Sequence, residues 1–262
     1  MGHTTHGTGR TARRSGFLAA LPAVALAGVV VLVWSLAAPN LGATLLPSPS
    51  AVVMALGELA ATGDLWPATL ATAGVAARGV ILAVLVALPL SWLIVHSRQA
   101  AAAIEPWIVV SQAVPAIALA PLLVLWFGYG TGTTALLAAL LVFFPMVIAS
   151  GIGLRGIDLE VMAAARVDGA GTGQLLRYIE APLALPQILA GLRAGVALAM
   201  TGAVVGEFVI GGTGLGQLLV AQRDRADTAG LFATLFVLAG VSAIAYGVVR
   251  LLEARANQMT QR

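Results

Sequence analysis

The chain has 262 residues, of which 60% are hydrophobic and only 10% are charged, and its mean hydropathy is +0.97. About a quarter of the residues of a soluble domain are charged, so this chain lacks the polar surface that a globule in water needs. This composition excludes a soluble domain and indicates a protein whose main partner is the lipid bilayer.

Two residue types that are missing from the sequence narrow the possible chemistry. Cysteine is absent, which excludes disulfides, thiolate metal sites and a cysteine nucleophile. All 14 basic residues are arginine, so a phosphate-binding loop with its lysine cannot exist here. The pI of about 10.2 does not indicate a nucleic-acid partner, because the arginines are scattered between apolar segments rather than clustered.

Six segments are long and apolar enough to cross a membrane, for which about 20 residues are needed. They are Phe17–Ala38, Ala68–Val95, Pro106–Phe127, Thr134–Gly151, Leu183–Gly206 and Ala229–Val249. The predicted fold class is an all-α polytopic membrane protein with about six transmembrane helices. We expect one transmembrane domain, residues 17–255, between an N-terminal tail, residues 1–16, and a C-terminal tail, residues 256–262.

The arginines between these segments predict the orientation, because short cytoplasmic loops carry most of the positive charge. An N-terminus on the inside leaves only Arg223 and Arg225 on the outside. The arginines placed in the cytoplasm are Arg10, Arg13, Arg14, Arg98, Arg155, Arg166, Arg177, Arg250, Arg255 and Arg262. We therefore expect a multi-pass protein of the bacterial plasma membrane with both termini in the cytoplasm.

The loop after the first segment begins with a turn rich in proline and serine, residues 46–50. A short helix is predicted to follow, with Ser50 as its N-cap and its end near Gly63, because serine favours the N-cap and glycine the C-terminal end. This helix lies outside the membrane in the predicted orientation.

The second and third segments contain the candidate residues of a translocation path. Arg78 lies within the second segment, and an ionisable residue at membrane depth usually faces the protein interior or water. Gln112, Pro115 and Pro121 predict an irregular third segment, which is tolerated where the backbone is buried or lines a cavity. Arg78 has an alternative role in an ion pair with another helix or subunit.

The longest predicted cytoplasmic loop, residues 152–182, has the pattern of two short helices joined by a turn. Asp158 is a plausible N-cap and Glu160 suits the first turn, where the helix dipole favours an anion. Gly169 and Gly171 interrupt the pattern, and a second amphipathic segment, Thr172–Glu180, ends before Pro182. The small residues Ala163, Ala164 and Ala165 allow close approach of another protein, although packing on the chain's own bundle remains an alternative.

The fifth segment carries charge at both ends. Arg193 lies near its cytoplasmic end, where we expect it to extend to the interface or to hold the 152–182 loop. Glu207 lies near its outer end, where we expect an ion pair with Arg223 or Arg225. A glycine-rich stretch that includes Gly214 and Gly216 follows, and with Glu207 it forms a candidate outer gate.

The 152–182 loop resembles a motif of a known family. The positions Ala163-Ala164-Ala165, Gly169, Ile179 and Pro182 match the spacing of the E-A-A-x3-G-x9-I-x-L-P loop of ABC importer permeases. Further resemblance to the nitrate/sulfonate/taurine-type branch runs through Leu46-Pro47-Ser48-Pro49, Pro115–Pro121, Gly191-Leu192-Arg193 and Gly214-Leu215-Gly216. These motifs extend over roughly residues 46–255 in the family's order.

This resemblance implies the type I ABC importer permease fold and a permease that carries a small solute such as a sulfonate, nitrate or taurine. The implied partners are ABC ATPase subunits, an extracytoplasmic substrate-binding protein and a second permease copy. ATP and magnesium would bind on the ATPase, so the chain itself is expected to be no enzyme and to hold no cofactor or metal. The coupling residues implied by the motif and its helix are Asp158, Glu160, Ala163, Ala164, Ala165, Gly169, Ile179 and Pro182.

The loop departs from the family motif at two positions, where Ala163 replaces glutamate and Ala181 replaces leucine. One interpretation is a heterodimer whose second permease keeps the glutamate. The other is a contact supplied by a nearby acidic residue, namely Asp158, Glu160 or Asp168.

Two other classes of function compete with the importer permease. A channel or secondary transporter needs no coupling loop and commonly shows internal repeats, of which we find none. A membrane-embedded enzyme needs a catalytic constellation, yet the three histidines lie in the N-terminal tail (His3 and His6) or at a helix end (His96).

Overall fold

The computed structural model describes the backbone of residues 11–260 and the side chains of residue 22 and residues 24–258. Every regular element in this part of the chain is helical, which confirms the predicted all-α class. The helices are α1 (Thr11–Leu41), α2 (Pro49–Ala61), α3 (Leu65–His96), α4 (Arg98–Ser111), α5 (Ala120–Phe127), α6 (Thr131–Arg155), α7 (Leu159–Val167), α8 (Thr172–Leu175), α9 (Ala181–Ile210), α10 (Leu215–Asp224) and α11 (Thr228–Thr260).

Five continuous helical segments of the described chain are long and apolar enough to cross a membrane. They are Val24–Leu41, Leu65–His96, Thr131–Arg155, Thr172–Ile210 and Thr228–Gln258. A sixth span is obtained when α4 and the 116–127 segment are counted together, although these two pieces meet at 93°. The predicted number of about six spans is confirmed in this sense.

The bend confirms that the third predicted segment is irregular. The segment also begins earlier than predicted. The helix starts at Arg98 rather than at Pro106, and it ends at Ser111. A 3-10 turn, Ala116–Leu119, then follows Pro115 before α5 begins. Proline lacks the amide hydrogen that an α-helix needs and disfavours helix in the residue before it, so the chain cannot continue straight through Val114.

The serine that caps α2 differs from the predicted one. Ser48 rather than Ser50 is the N-cap, since its hydroxyl accepts a hydrogen bond from the Ala51 amide at 3.2 Å. Pro49 occupies the first helical position, where its missing amide hydrogen costs nothing and its φ is already helical. The predicted end is close to the observed one, because Gly63 has a left-handed φ of +82° just after the helix.

The helices extend into both tails that we expected to flank the membrane domain. α1 begins at Thr11 and α11 continues to Thr260. The remainder of the expected tails, residues 1–10 and 261–262 with His3, His6, Arg10 and Arg262, lies outside the described residues.

The centre of the bundle is formed by α3, α6 and α9, which pack on one another along most of their length, with α11 against α9. The buried residues here are mainly small or medium in size, among them Ala87, Ala138, Val142, Met146 and Ala203. Small residues allow membrane helices to approach closely, which strengthens their dispersion contacts in lipid. The loop that carries α7 lies at the beginning of α9 and the loop that carries α10 at its end, so these two loops mark opposite ends of the bundle.

Because α9 packs closely on α6, Gly202 in the middle of α9 has no room for a larger side chain. A Cβ atom on Gly202 would lie 2.7 Å from the Ala138 Cα atom. We expect Gly202→Val to push the two helices apart and to cost about 1–3 kcal/mol, as overpacking generally does. Thermal unfolding of the purified protein in detergent measures the effect. The control is Gly240→Val in α11, where an added Cβ meets nothing within 4 Å, and equal losses in both variants would contradict the prediction.

Candidate functional site

The 152–182 loop has the predicted helix–turn–helix form. α6 ends at Arg155, and Asp158 is the N-cap of α7, because its Oδ1 accepts a hydrogen bond from the Glu160 amide at 2.8 Å. The Glu160 carboxylate stands in the first turn, where the helix dipole favours an anion. The local structure predicted for the first half of this loop is therefore confirmed.

α7 has apolar residues on an open surface. Met162 is its one buried residue. Leu159 and Val167 are 82% and 87% exposed, and Ala163 and Ala164 are exposed beside them, while Ala165 is half-buried. α7 thus presents an apolar face with small residues at its centre, a surface suited to covering by another protein.

Gly169 ends the helical course of α7 and sets the shape of the turn. Its φ is +87°, a left-handed conformation that glycine adopts without strain. The Gly169 amide donates to the Arg166 carbonyl at 3.0 Å, and the Ala170 amide donates to the Ala165 carbonyl at 3.0 Å. These bonds close the C-terminal end of α7 and fix the direction in which the chain leaves it.

The second half of the loop differs from the prediction, because the helix does not break before Pro182. Helical structure runs from Thr172 to Ile210, and the segment Leu176–Glu180 forms a π-helical turn. A wider turn removes the clash between a proline ring and the carbonyl four residues earlier, so Pro182 is accommodated in the first turn of α9. Ile179 is half-buried here and Pro182 is exposed.

At the opposite end of the bundle, the side chain of Glu207 is buried among polar groups of α3 and α10. Glu207 is only 2% exposed. Its carboxylate accepts a hydrogen bond from the Thr72 hydroxyl, with oxygen–oxygen distances of 2.9 and 3.0 Å, and another from the Gly216 amide at 2.7 Å. The Thr72 oxygen in turn accepts from the Leu215 amide at 2.8 Å. We call Thr72, Glu207, Gly214, Leu215 and Gly216 the Glu207 cluster.

The two glycines of the cluster leave the room that the carboxylate occupies. A Cβ on Gly214 would lie 2.1 Å from the Glu207 Oε1 atom and 2.2 Å from the Thr72 oxygen. A Cβ on Gly216 would lie 2.6 Å from the Glu207 Cβ atom. The structure therefore brings together all three residues predicted as an outer gate, and it joins α3, α9 and α10 through them.

The predicted ion pair of Glu207 with Arg223 or Arg225 is wrong. The Arg223 guanidinium instead contacts its neighbour Asp224 at 2.9 Å on the exposed surface. The carboxylate needs no arginine, because it lies at the N-terminal end of α10, where free amides and the helix dipole stabilise an anion. Arg223 and Arg225 are at the far end of the same helix.

The residues predicted to line a translocation path are all exposed in the single chain, but the structure does not gather them in one cavity. The Arg78 guanidinium donates to the Thr131 hydroxyl at 3.2 Å. Gln112 lies in the wall of a cavity of about 250 Å³ between α3, α4 and α6, which Arg78, Pro115 and Pro121 do not line. Pro115 precedes the 3-10 turn, and Pro121 lies in the first turn of α5.

Arg193 does not hold the 152–182 loop. Its Nη1 atom lies 3.1 Å from Oε2 of Glu253 in α11, and its guanidinium lies over the Tyr246 ring at 5.5 Å. Arg193 thus fastens α11 to α9. The expected contact with the loop was wrong, because Arg193 pairs with a residue 60 positions away that no local pattern reveals.

Sequence reasoning missed two polar residues that the structure places in buried networks. Thr72 has no sequence signal, since a threonine in an apolar segment is ordinary. Glu180 is 4% exposed, and with Glu207 it forms the pair of buried acidic residues among those described. The sequence does contain a signal for Glu180, because it is an acidic residue at the very beginning of a membrane segment.

Comparison with known proteins gives concordant matches. The model of the family described as the binding-protein-dependent transport system inner membrane component matches residues 79–258. The chain is 42% identical over 211 residues to the riboflavin transport system permease protein RibX of Chloroflexus aurantiacus, covering 80% of this chain and 79% of that protein. It is 33% identical over 228 residues to the formylaminopyrimidine transport permease protein ThiX of Halalkalibacterium halodurans, covering 86% and 90%.

A solved structure has the same fold. A chain of the MetNI methionine ABC transporter in an inward-facing conformation superposes with a TM-score of 0.67. The match covers 74% of this chain and 97% of the other, at 15% sequence identity. The fold of most of this chain is therefore one found in an ABC importer.

Proposed function

This chain belongs to the binding-protein-dependent transport system inner membrane component family and is the permease subunit of an ABC importer, and we propose that α7 is its coupling helix. The observation that carries the proposal is the open apolar face of α7, where only Met162 is buried and the small and apolar residues stay exposed. An ATPase subunit covers this face and transmits its movement to the membrane helices.

In this proposal, ATP hydrolysis, solute delivery and translocation are carried out by different subunits. Two ATPase subunits bind ATP and magnesium and hydrolyse the nucleotide, because this chain has no lysine and so no phosphate-binding loop. An extracytoplasmic binding protein delivers the solute. A second permease completes the path, and a homodimer is the simpler arrangement, because α7 has acidic residues of its own at Asp158 and Glu160 to replace the family's glutamate.

The assignment of α7 as the coupling helix also gives the orientation of the chain in the membrane. The end of the bundle that carries α7 faces the cytoplasm, and the end that carries the Glu207 cluster faces outward. The arginine distribution supports this orientation, since Arg155, Arg166 and Arg177 all lie in or next to the α7 loop. Both termini then lie in the cytoplasm.

In this scheme the Glu207 cluster is the outer gate and Arg78 is a residue of the path. The cluster closes the outer end by holding α10 on α3 and α9. Arg78 has only a neutral hydroxyl as its observed hydrogen-bond partner, so its charge is available to water or to a solute in the path. Alternation between outward and inward states follows the closing and opening of the ATPase pair.

For the solute, we propose a small organic molecule with a nitrogen-containing ring. Two relatives, 42% and 33% identical to this chain over the aligned residues, are named for transport of riboflavin and of formylaminopyrimidine. The binding protein selects the solute, and the permease provides a path of matching size.

The test is uptake by proteoliposomes that contain the permease, its ATPase and its binding protein. We expect ATP hydrolysis to rise when the loaded binding protein is added, and labelled riboflavin to accumulate in preference to labelled taurine. Hydrolysis that ignores the binding protein, at equal assembly of the complex, would reject the coupling role. The mass of the purified complex distinguishes one permease species from two.

A further inference from the structure

The cytoplasmic ends of α3 and α9 are connected by a buried carboxylate. Glu180 closes the π-helical turn between the α7 loop and α9, and its side chain is 5% exposed. Its Oε2 atom accepts a hydrogen bond from the Trp92 indole nitrogen at 2.9 Å, and its Oε1 atom lies 2.9 Å from the His96 Nε2 atom. Both partners belong to the last turns of α3, where their rings stack with centroids 4.5 Å apart. We call these three residues the Glu180 cluster.

His96 has a polar contact at each of its ring nitrogens. The His96 Nδ1 atom lies 2.9 Å from the Trp92 carbonyl oxygen of its own helix. The Nε2 atom lies 2.9 Å from the Glu180 carboxylate, to which a neutral imidazole donates when its hydrogen is on Nε2. The two oxygens of Glu180 are therefore held by two side chains of α3, Trp92 on Oε2 and His96 on Oε1.

The cluster stands next to α7. A pocket of about 440 Å³ is bounded by Met162 and Ala163 of α7 on one side and by His96 and Glu180 on the other. The further charged groups that line it are Arg155 of α6, whose guanidinium contacts Glu105 of α4, and Arg166 of α7. Apart from Met162, α7 buries no side chain against the bundle, so its movement must pass largely through the chain that follows it.

We propose that Glu180 is the positioning residue that transmits movement of α7 to α3. A shift of the α7 loop moves the π-helical turn, and the two hydrogen bonds of Glu180 draw the end of α3 along with α9. Without them, the end of α3 is connected to α9 through the apolar packing of the bundle alone. This inference rests on the proposed function, because it assumes that α7 is moved by an ATPase.

Glu180→Gln preserves the two hydrogen bonds without the charge. In this variant the amide oxygen accepts from the Trp92 indole and the amide nitrogen donates to a neutral His96 ring nitrogen. Glu180→Gln should therefore couple well, whereas Glu180→Ala, which removes both hydrogen bonds, should not.

The experiment measures ATP hydrolysis stimulated by the binding protein in the reconstituted complex, together with the thermal midpoint of each variant. We expect Glu180→Ala to lower the stimulation at least about tenfold, since a buried charged hydrogen-bond pair is broken. Glu180→Gln should restore most of the stimulation. Glu58→Gln, at an exposed carboxylate of α2, is the matched control and should behave as the wild type.

A second variant keeps the test decisive if Glu180→Ala does not assemble. His96→Phe retains the stacking on Trp92 but removes both ring nitrogens, and we expect the same loss of stimulation from the α3 side. Full stimulation in Glu180→Ala or in His96→Phe would overturn the inference, as would an equal loss of stimulation in Glu180→Gln, which retains both hydrogen bonds. A wild-type complex that shows no stimulation at all rejects the proposed function itself, and the inference falls with it.

Discussion

Replacing Glu207 by alanine is expected to open the outer end of the bundle and to destabilise the whole protein. The Gly216 amide and the Thr72 hydroxyl would both lose their acceptor in a buried place. Hydrogen bonds to a charged group contribute about 1.5–3 kcal/mol each, and a buried donor left without a partner costs a similar amount. The empty volume of the side chain adds a cavity term.

Two measurements report these effects separately. The thermal midpoint of the detergent-purified complex should fall by several degrees, because the cluster joins three helices. ATP hydrolysis without the binding protein should rise, because the outer gate no longer closes and so no longer holds the complex in its resting state. Gly214→Ala should produce the same pair of changes from the other side, since its Cβ would lie 2.1 Å from the Glu207 carboxylate.

The control for this prediction is Glu58→Ala, which removes an exposed carboxylate from α2. It should leave both the thermal midpoint and the basal hydrolysis as in the wild type. A Glu207→Ala complex with wild-type values in both measurements would show that the cluster neither stabilises the protein nor closes it.

Replacing Gly169 by leucine is the second substitution with a large expected effect, on coupling rather than on stability. The φ of Gly169 is +87°, and an L-residue in a left-handed conformation costs roughly 1–2 kcal/mol. The turn after α7 relaxes to avoid this strain, which changes the direction of the chain and the distance at which an ATPase can approach. An added Cβ meets nothing within 4 Å in the single chain, so the bundle itself should fold normally.

Stimulation of ATP hydrolysis by the binding protein measures this effect. We expect a loss of about tenfold or more, equivalent to 1.4 kcal/mol of coupling, at an unchanged thermal midpoint. Gly169→Asn should lose less, because asparagine tolerates the left-handed region. Gly173→Leu is the matched control, since Gly173 lies in α8 without a positive φ and also has open space around it. Wild-type stimulation in Gly169→Leu would remove the turn from the coupling mechanism.

The predicted cap and turn of the α7 loop are confirmed because the interactions that form them are local. Asp158 caps α7 through a bond to an amide two residues away, and Gly169 ends the helix through its own φ. Where two candidates stood close together, the sequence was insufficient. Ser48 and Ser50 are both good caps, and Pro49 decided between them by occupying the first helical position.

The third membrane segment shows that composition can identify a membrane segment without determining its shape. Pro115 and Pro121 predicted an irregular course, and the chain does break before the 3-10 turn. The 93° bend depends on how α4 packs against α3 and α5 against α6 and α9. Hydropathy counts apolar residues along the chain and contains no information about the direction in which the chain turns.

The amino-acid composition is enough to place this protein in a membrane, because 10% charged residues cannot cover a surface in water. The sequence also locates the α7 loop, whose caps and glycines act within a few residues. The partners of the buried charges, in contrast, are set by the packing of the helices. Glu207 meets a threonine 135 residues away and Glu180 a histidine 84 residues away. These pairs depend on which faces of α3 and α9 turn toward each other, and close packing of small residues fixes those faces whereas apolar composition does not.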